Sequence, residues 1–141
     1  MRFLIVDDAE APLKTLQRML RALGHEVAGT ARNGADAVEA YEQLHPDVVI
    51  MDVIMPRMNG LDALRTIREA HPKARVVMAS SLHSCQTALE AERLGALYCL
   101  AKPYEECRLQ NVIAQIGRFR EATHSDSSSA RPRFVGAHRP V

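Results

Sequence analysis

Residues 46–60 have the sequence PDVVIMDVIMPRMNG, in which the carboxylate of Asp52 stands between two apolar runs. Residues 48–51 and 53–55 suit a strand that is buried on both faces, as the strands of parallel sheets are. An unpaired carboxylate buried among such residues would strongly destabilise the fold. The segment therefore predicts a central strand that ends at Asp52, and it indicates that other groups in the fold compensate the charge of Asp52.

The composition indicates one globular domain. With 141 residues, 47% of them hydrophobic, the chain is long enough for one core of ordinary size. Its 18 basic and 17 acidic residues give a net charge of +1, so charge indicates neither a nucleic acid nor a membrane as partner. The cysteines, Cys85, Cys99 and Cys107, are odd in number and lack a C-x-x-C spacing. This argues against a disulfide framework or a zinc site and predicts a location in the reducing cytoplasm.

Short runs of β-branched and other apolar residues alternate with longer stretches in which apolar residues recur at helical spacing. This alternation is typical of βαβ units around a parallel sheet. It predicts an α/β fold in which a doubly wound, five-stranded sheet lies between two layers of helices. The predicted strands are 3–6, 26–30, 48–52, 75–79 and 97–101, each followed by a helix.

After residue 120 the sequence changes character. Residues 121–141 read EATHSDSSSARPRFVGAHRPV and are rich in Ser, Pro and Arg but poor in periodically spaced apolar residues. Such a composition does not supply a core. We therefore expect one domain over residues 1–120 and a disordered tail or linker over residues 121–141.

Polar residues follow the predicted strands at the ends where a parallel sheet binds its ligands. In open α/β sheets the ligand crevice lies beyond the carboxyl ends of the strands. Asp7 and Asp8 follow the first strand, Asp52 ends the third, Ser80 follows the fourth and Lys102 follows the fifth. If the first and third strands are neighbours, three carboxylates lie close enough to repel one another strongly. The pattern thus predicts a charged site at this edge of the sheet.

The residue types in this set indicate phosphoryl chemistry with a divalent cation. Two or three carboxylates suit Mg2+ better than a transition metal, because carboxylate oxygens are hard ligands. The isolated Asp52 can attack phosphorus and form an acyl phosphate. Lys102 then offsets the phosphoryl charge, and Ser80 donates a hydrogen bond to a phosphoryl oxygen. Taken singly, each residue is better explained as a turn cap or a surface group, so the combination is what favours a site.

The same residues give the chain a resemblance to the receiver domains of two-component response regulators, which include the chemotaxis receivers. The resemblance covers about residues 1–120. It implies a flavodoxin-like sheet with strand order 2-1-3-4-5 and five helices. The motifs that carry it are Asp7-Asp8, the segment 52–56 (DVIMP) with Gly60 beyond it, Ser80-Ser81, Gly95-Ala96 and Lys102-Pro103-Tyr104.

The resemblance also implies roles for the site residues. Asp52 is then the residue that accepts a phosphoryl group from a histidine kinase or a phosphotransfer protein. The downstream partner binds the surface formed by helix 4, strand 5 and helix 5. Lys102 and Ser80 contact the phosphoryl oxygens, and the Lys102–Pro103 bond is cis. The implied Mg2+ ligands are the side chains of Asp8 and Asp52 and the backbone carbonyl of Ile54, with Asp7 acting through water.

One position departs from the pattern of this family. Relatives commonly carry an aromatic residue three positions before the strand-five lysine, where it couples to the strand-four hydroxyl, and here that position is Cys99. Tyr98 is adjacent, but a shift of one residue along a strand turns a side chain to the opposite face of the sheet. We therefore expect that Tyr98 does not replace the missing aromatic residue.

Two other functions fit parts of the sequence. Cys99 at the position of the aromatic residue makes a phosphorylation-independent interaction module an alternative. An aspartyl-phosphate phosphohydrolase is a further alternative, but phosphatases of the haloacid dehalogenase type use a second acid two residues after the nucleophile, where this chain has Ile54. We expect no enzymatic activity beyond formation and hydrolysis of the acyl phosphate. The Ser-rich tail leaves open whether the receiver stands alone or belongs to a longer regulator.

Overall fold

The computed structural model describes residues 1–81, 85–125 and 135–136 of the chain. Strands and helices alternate along these residues, and the five predicted strands agree with the observed ones to within one residue at each end. The strands are β1 (Arg2–Val6), β2 (Glu26–Ala31), β3 (Val48–Asp52), β4 (Val76–Ser80), β5 (Tyr98–Ala101) and β6 (Val135–Gly136). The helices are α1 (Glu10–Ala22), α2 (Gly34–Leu44), α3 (Gly60–Ala70), α4 (Cys85–Arg93) and α5 (Glu106–Ser125).

Neighbouring strands in the sheet run parallel, in the order β2-β1-β3-β4-β5-β6. For β1 to β5 this is the predicted order 2-1-3-4-5, so the doubly wound α/β class is confirmed. The order reverses at β1, because the chain places β2 on one side of it and β3 on the other. The carboxyl ends of β1 and β3 therefore lie side by side at the ligand crevice of the fold. Among the described residues, no helix combines the length and the apolar composition needed to cross a membrane.

The structure differs from the prediction at the C-terminal boundary. We expected the domain to end at residue 120, but α5 continues to Ser125. Val135–Gly136 then forms β6, which pairs in parallel with β5. Backbone pairing at a sheet edge needs no apolar periodicity, so the composition of the tail did not reveal this strand. The rest of the tail lies outside the described residues, and its disorder stays a prediction.

Both faces of the sheet are buried, as expected for parallel strands. Along β1, Phe3 and Ile5 pack against α1 and α5 on one face. Leu4 and Val6 pack with residues of α2, α3 and α4 on the other face. The uninterrupted apolar sequence of β1 therefore reflects two separate cores, and the carboxylates that follow β1 are held at the rim of both.

The helices that follow β2 and β3 begin at the same dipeptide, Asn-Gly. The side chain of Asn33 caps α2 by accepting a hydrogen bond from the N–H of Asp36 (2.8 Å), and that of Asn59 caps α3 by accepting one from the N–H of Asp62 (2.9 Å). Each cap satisfies a backbone donor that the first helical turn leaves free. Both helices thus start at positions that the local sequence fixes.

Gly60 brings the start of α3 against the strand end that carries Asp52. The N–H of Gly60 donates to the carbonyl oxygen of Val53 at 2.7 Å. A Cβ atom on Gly60 would lie 2.0 Å from the backbone carbonyl oxygen of Asp52, far inside van der Waals contact. Only glycine permits this approach, and the approach holds the backbone of Asp52 against the helix.

The substitution Gly60→Ala should destabilise the protein by about 1–3 kcal/mol, because the backbone must move away from Asp52 to admit the methyl group. Gly117→Ala is the matched control, since Gly117 lies within α5 and has open space where the methyl group would lie. Alanine is the better helix former there by about 1 kcal/mol. Urea denaturation should therefore give opposite signs for the two variants. A Gly60→Ala protein as stable as the parent would contradict the steric constraint.

Candidate functional site

Strand ends bring three carboxylates together at the crevice between β1 and β3. Asp7 and Asp8 directly follow β1, and Asp52 is the last residue of β3, which pairs with β1. The three residues each contribute one carboxylate oxygen to a group in which all the oxygens lie within 4.8 Å of one another. The structure thus shows the convergence of acids that the sequence predicted.

The three acids differ in exposure. Asp7 is 2% exposed and Asp52 is 7% exposed, whereas Asp8 faces solvent. Oδ1 of Asp7 accepts a hydrogen bond from the N–H of Ala9 at 2.9 Å. Oδ2 of Asp7 is buried, and no group in residues 1–81, 85–125 or 135–136 donates a hydrogen bond to it. A buried carboxylate oxygen in this state is unfavourable, so the atom requires positive charge beside it.

Lys102 supplies part of that positive charge. Its Nζ lies 2.6 Å from Oδ2 of Asp7 and 3.4 Å from Oδ1 of Asp52. The contact with Asp7 is an ion pair. The Lys102–Pro103 peptide bond is cis, as the resemblance implied. Because three carboxylates face one ammonium group, the cluster keeps a negative charge when all four groups are ionised.

The surroundings of Asp52 disfavour its charged form. Burial is the main cause and raises the pKa of Asp52, and the charges of Asp7 and Asp8 raise it further. The ammonium group of Lys102 opposes these effects without cancelling them. The fold therefore holds the Asp52 carboxylate in a position where added positive charge is stabilising.

Two other residues predicted for the site flank Asp52. Ser80 ends β4, the strand next to β3, and it is 3% exposed. Asp52 pairs with Ala79, so Ser80 lies one residue further along at the same edge of the sheet. Ile54 follows in the loop before α3, with its side chain 57% exposed. The side chain of Ile54 is therefore not part of the core, and its predicted role rests on the backbone carbonyl alone.

The donor set of the site fits Mg2+. The three clustered carboxylates offer hard oxygen ligands, which this ion prefers. Within the described part of the chain, Oδ2 of Asp7 is a buried acceptor that has an ion-pair contact with Lys102 but no hydrogen bond. Mg2+ commonly binds through one or two carboxylates and keeps several waters, and the exposed Asp8 leaves the solvent side accessible. The cluster thus has the charge and the ligand type that the predicted ion requires.

The side chains of Cys99 and Tyr98 lie on opposite faces of β5. Cys99 is buried in the core cluster that contains Met78 and Ala91, on the side of α3 and α4. Tyr98 is buried in the other cluster, which contains Ile113 of α5. The predicted difference in orientation is confirmed, so Tyr98 does not take the place of the missing aromatic residue. Burial raises the pKa of the Cys99 thiol, which keeps it a neutral core group.

The structure adds two residues for which the sequence analysis predicted no role. Tyr104 is buried, and its burial together with the charges of Asp7 and Asp52 raises the pKa of its hydroxyl. The guanidinium of Arg32, directly after β2, donates a hydrogen bond to the backbone carbonyl of Asp8 at 3.1 Å. Tyr104 could have been predicted to lie near the site, because it stands two residues after Lys102 in the sequence. No sequence pattern relates Arg32 to Asp8, because the contact depends on the pairing of β1 with β2.

Comparison with known sequences places these features in a family. Residues 3–114 match the family described as response regulator receiver domain. The chemotaxis protein CheY of Thermotoga maritima is 38% identical over 117 residues, which are 83% of this chain and 98% of that protein. A protein-glutamate methylesterase/protein-glutamine glutaminase of Geobacter metallireducens is 47% identical over 105 residues, which are 72% of this chain but 30% of that protein. The latter similarity therefore concerns one part of a longer protein.

Solved structures show the same fold. The crystal structure of the CheX-CheY-BeF3-Mg2+ complex from Borrelia burgdorferi contains a chain with a TM-score of 0.81 and 29% identity, and the match covers 83% of this chain and 89% of that one. The response regulator domain of Thermotoga maritima CheB has a TM-score of 0.72 and 33% identity, with 89% and 98% covered. The chain belongs to the response regulator receiver domain family of two-component and chemotaxis signalling.

Proposed function

We propose that this receiver accepts a phosphoryl group on Asp52 from a histidine kinase or a phosphotransfer protein, with Mg2+ bound beside it. The acyl phosphate then controls the binding of a downstream partner. The observation that carries the proposal is the single ammonium group of Lys102 in contact with Asp7 and Asp52, two members of a cluster of three carboxylates. This cluster is suited to phosphoryl transfer, which requires positioning and charge stabilisation more than covalent chemistry.

Asp52 acts as the nucleophile in this proposal. One oxygen of its carboxylate forms a bond to phosphorus while the bond from phosphorus to the donor's histidine nitrogen breaks. The nitrogen keeps the electron pair of that bond, and because the other ring nitrogen of the phosphohistidine carries a proton, the imidazole is released in its neutral form. The product is an acyl phosphate on β3, so added negative charge appears at the end of a buried strand.

Other residues of the chain hold the incoming group. Nζ of Lys102, which lies 3.4 Å from Oδ1 of Asp52, contacts the phosphoryl oxygens, and the hydroxyl of Ser80 donates a hydrogen bond to one of them. Mg2+, when bound, supplies positive charge to the carboxylates and to the phosphoryl oxygens. The groups that would hold it are the carboxylates of Asp8 and Asp52 and the backbone carbonyl of Ile54, with Asp7 acting through water.

The partner binds the face formed by α4, β5 and α5 in this proposal. Leu89 of α4 is 61% exposed, which gives this face an apolar contact point. The Borrelia CheY was solved together with CheX, BeF3 and Mg2+, and that complex supports a partner-binding role for this chain. Because Cys99 replaces the usual aromatic residue, phosphorylation acts here by shifting the population of loop and helix conformations without rotation of a ring on β5.

A phosphorylation-independent interaction module is the second candidate, and the buried Cys99 favours it. In that case the affinity for a partner does not respond to the acyl phosphate. A phosphohydrolase is less well supported, because the position two residues after Asp52 carries the exposed, apolar Ile54 where such an enzyme uses a second acid.

Incubation with acetyl phosphate and Mg2+ should add one phosphoryl group to the intact protein, as measured by mass spectrometry. Asp52→Asn should abolish the mass increase, because the amide oxygen is a poor nucleophile. Asp62→Asn serves as the control, since Asp62 is a half-exposed acid in the first turn of α3 and should react like the parent. An unchanged adduct in Asp52→Asn would refute the assignment of the phosphorylated residue.

Mg2+ should stabilise the folded protein, because it binds a carboxylate cluster that exists only in the fold. At about 100 times its dissociation constant the gain is about 2.7 kcal/mol in the free energy of unfolding. Asp8→Asn should remove most of this gain while leaving the core intact, since Asp8 is exposed. Urea denaturation with Mg2+ or with a chelator measures the difference, and Asp62→Asn should retain the full gain. A parent-like response of Asp8→Asn would exclude Asp8 as a ligand.

The difference in unfolding free energy between Asp52→Asn and the parent protein should decrease as the pH falls. The pKa of Asp52 is raised in the fold, so its charged form is destabilising at neutral pH and this cost disappears as the group is protonated. With a chelator present, Asp52→Asn should be more stable than the parent at about pH 7.5, and its advantage should shrink toward about pH 4.5. The measurement is the difference in unfolding free energy at each pH. An advantage that grows as the pH falls would contradict the raised pKa.

A further inference from the structure

Part of the outer edge of β5 pairs with the chain's own C-terminal tail, at two of the four residues of the strand. β5 is contacted by α4 and α5 and is the last of the five strands of the receiver sheet. Val135–Gly136 forms β6 on its free side, with Tyr98 opposite Val135 and Cys99 opposite Gly136. Val135–Gly136 therefore lies on the face formed by α4, β5 and α5, to which we assign the downstream partner.

An edge strand exposes backbone N–H and C=O groups that pair readily with another strand. Such an edge is also a common site of recognition, in which an extended peptide adds to the sheet through main-chain hydrogen bonds. β6 has two residues, so its pairing with β5 is short and a longer strand can replace it. The observed pairing thus shows that the edge of β5 accepts a parallel strand. Because β6 pairs over only two residues, a longer strand can displace it.

The connection between α5 and β6 is long enough for this arrangement within one chain. α5 has 20 residues and is about 30 Å long, and it returns the chain from the carboxyl end of β5 toward the amino end. Residues 126–134 can span at most about 30 Å, which suffices to bring the tail back to β5. Because the tail is tethered, its effective concentration at the edge is in the millimolar range. Val135–Gly136 can therefore pair with β5 in the absence of a partner even if the contact is weak.

We propose that the outer edge of β5 is a docking site for an extended strand, and that Val135–Gly136 occupies it in competition with the partner's own strand. The competing partner is a protein that presents a segment able to pair in parallel with β5. The part of this inference that concerns the signalling partner rests on the proposed function, whereas the presence of the docking edge does not. Removal of the tail from the edge should then make the receiver more receptive to such a segment.

The first test measures hydrogen exchange of the β5 amides, residue by residue, in the full chain without phosphodonor. The variant Val135→Pro, Gly136→Pro removes the N–H donors of β6 and so weakens its pairing with β5 as a whole. Exchange at the β5 amides that donate toward β6 should then be faster by at least about tenfold. The β5 amides that bond to β4 should stay protected and serve as the internal reference. The matched control carries the same two prolines at Ser127 and Ser128, outside β6, and should exchange like the parent.

The second test uses a synthetic peptide with the sequence of residues 131–141, RPRFVGAHRPV, as the competing strand. In the Val135→Pro, Gly136→Pro variant the NMR signals of the β5 amides should shift in a saturable way at millimolar peptide. In the parent, at least about ten times more peptide should be needed, because the tethered tail occupies the edge. The same peptide with proline in place of Gly136 should cause no shift in either protein.

Equal exchange rates in the parent and the proline variant overturn the proposal, and so does an equal response of the two proteins to the peptide. Both proteins are also incubated with acetyl phosphate and Mg2+. A mass increase in both confirms that the variant is folded and that Asp52 reacts independently of the tail. A failure of the docking edge is thereby distinguished from a failure of the phosphoacceptor function.

Discussion

The repulsion among three carboxylates at the ends of β1 and β3 is the constraint on which the rest of the structure depends. Strand order places Asp7, Asp8 and Asp52 together, and burial prevents water from screening two of them. Lys102 reaches into the cluster from the end of β5 and contacts Asp7 and Asp52. One positive charge does not balance three negative ones, so the receiver is built around a site that remains short of positive charge. The cation proposed here answers that shortage, and a phosphoryl group on Asp52 would increase the need for it, because that group is itself negatively charged.

The fold was predictable from the sequence because its determinants are local or periodic. Apolar runs such as residues 48–51 are bounded by polar residues at the positions where the strands end. Asn33 and Asn59 mark the starts of two helices through hydrogen bonds to their own first turns. The strand at Val135–Gly136 was not predictable, because it is stabilised by backbone pairing with a strand distant in sequence and requires no particular side chains.

The members of the site were also predictable, since each of them lies at the end of a strand or shortly after it, but their mutual contacts were not. The sequence could not distinguish the buried Asp7, which pairs with Lys102, from the exposed Asp8, because adjacent residues at a strand end differ only in the direction of their side chains. The functional roles of all these residues, Ser80 and Ile54 included, remain predictions. The close approach of Gly60 to Asp52 could not be predicted either, because it depends on the path of the loop before α3.

The order of the site residues along the chain has a consequence for biosynthesis. The acids at positions 7, 8 and 52 leave the ribosome well before the lysine at position 102. A nascent chain that lacks Lys102 can close β1 against β3 only by bringing the acids together without their ammonium partner, which opposes early compaction. Docking of β5 is therefore the step that brings Lys102 to the acids and offsets part of their charge, and it ties β1 to the last of the five receiver strands.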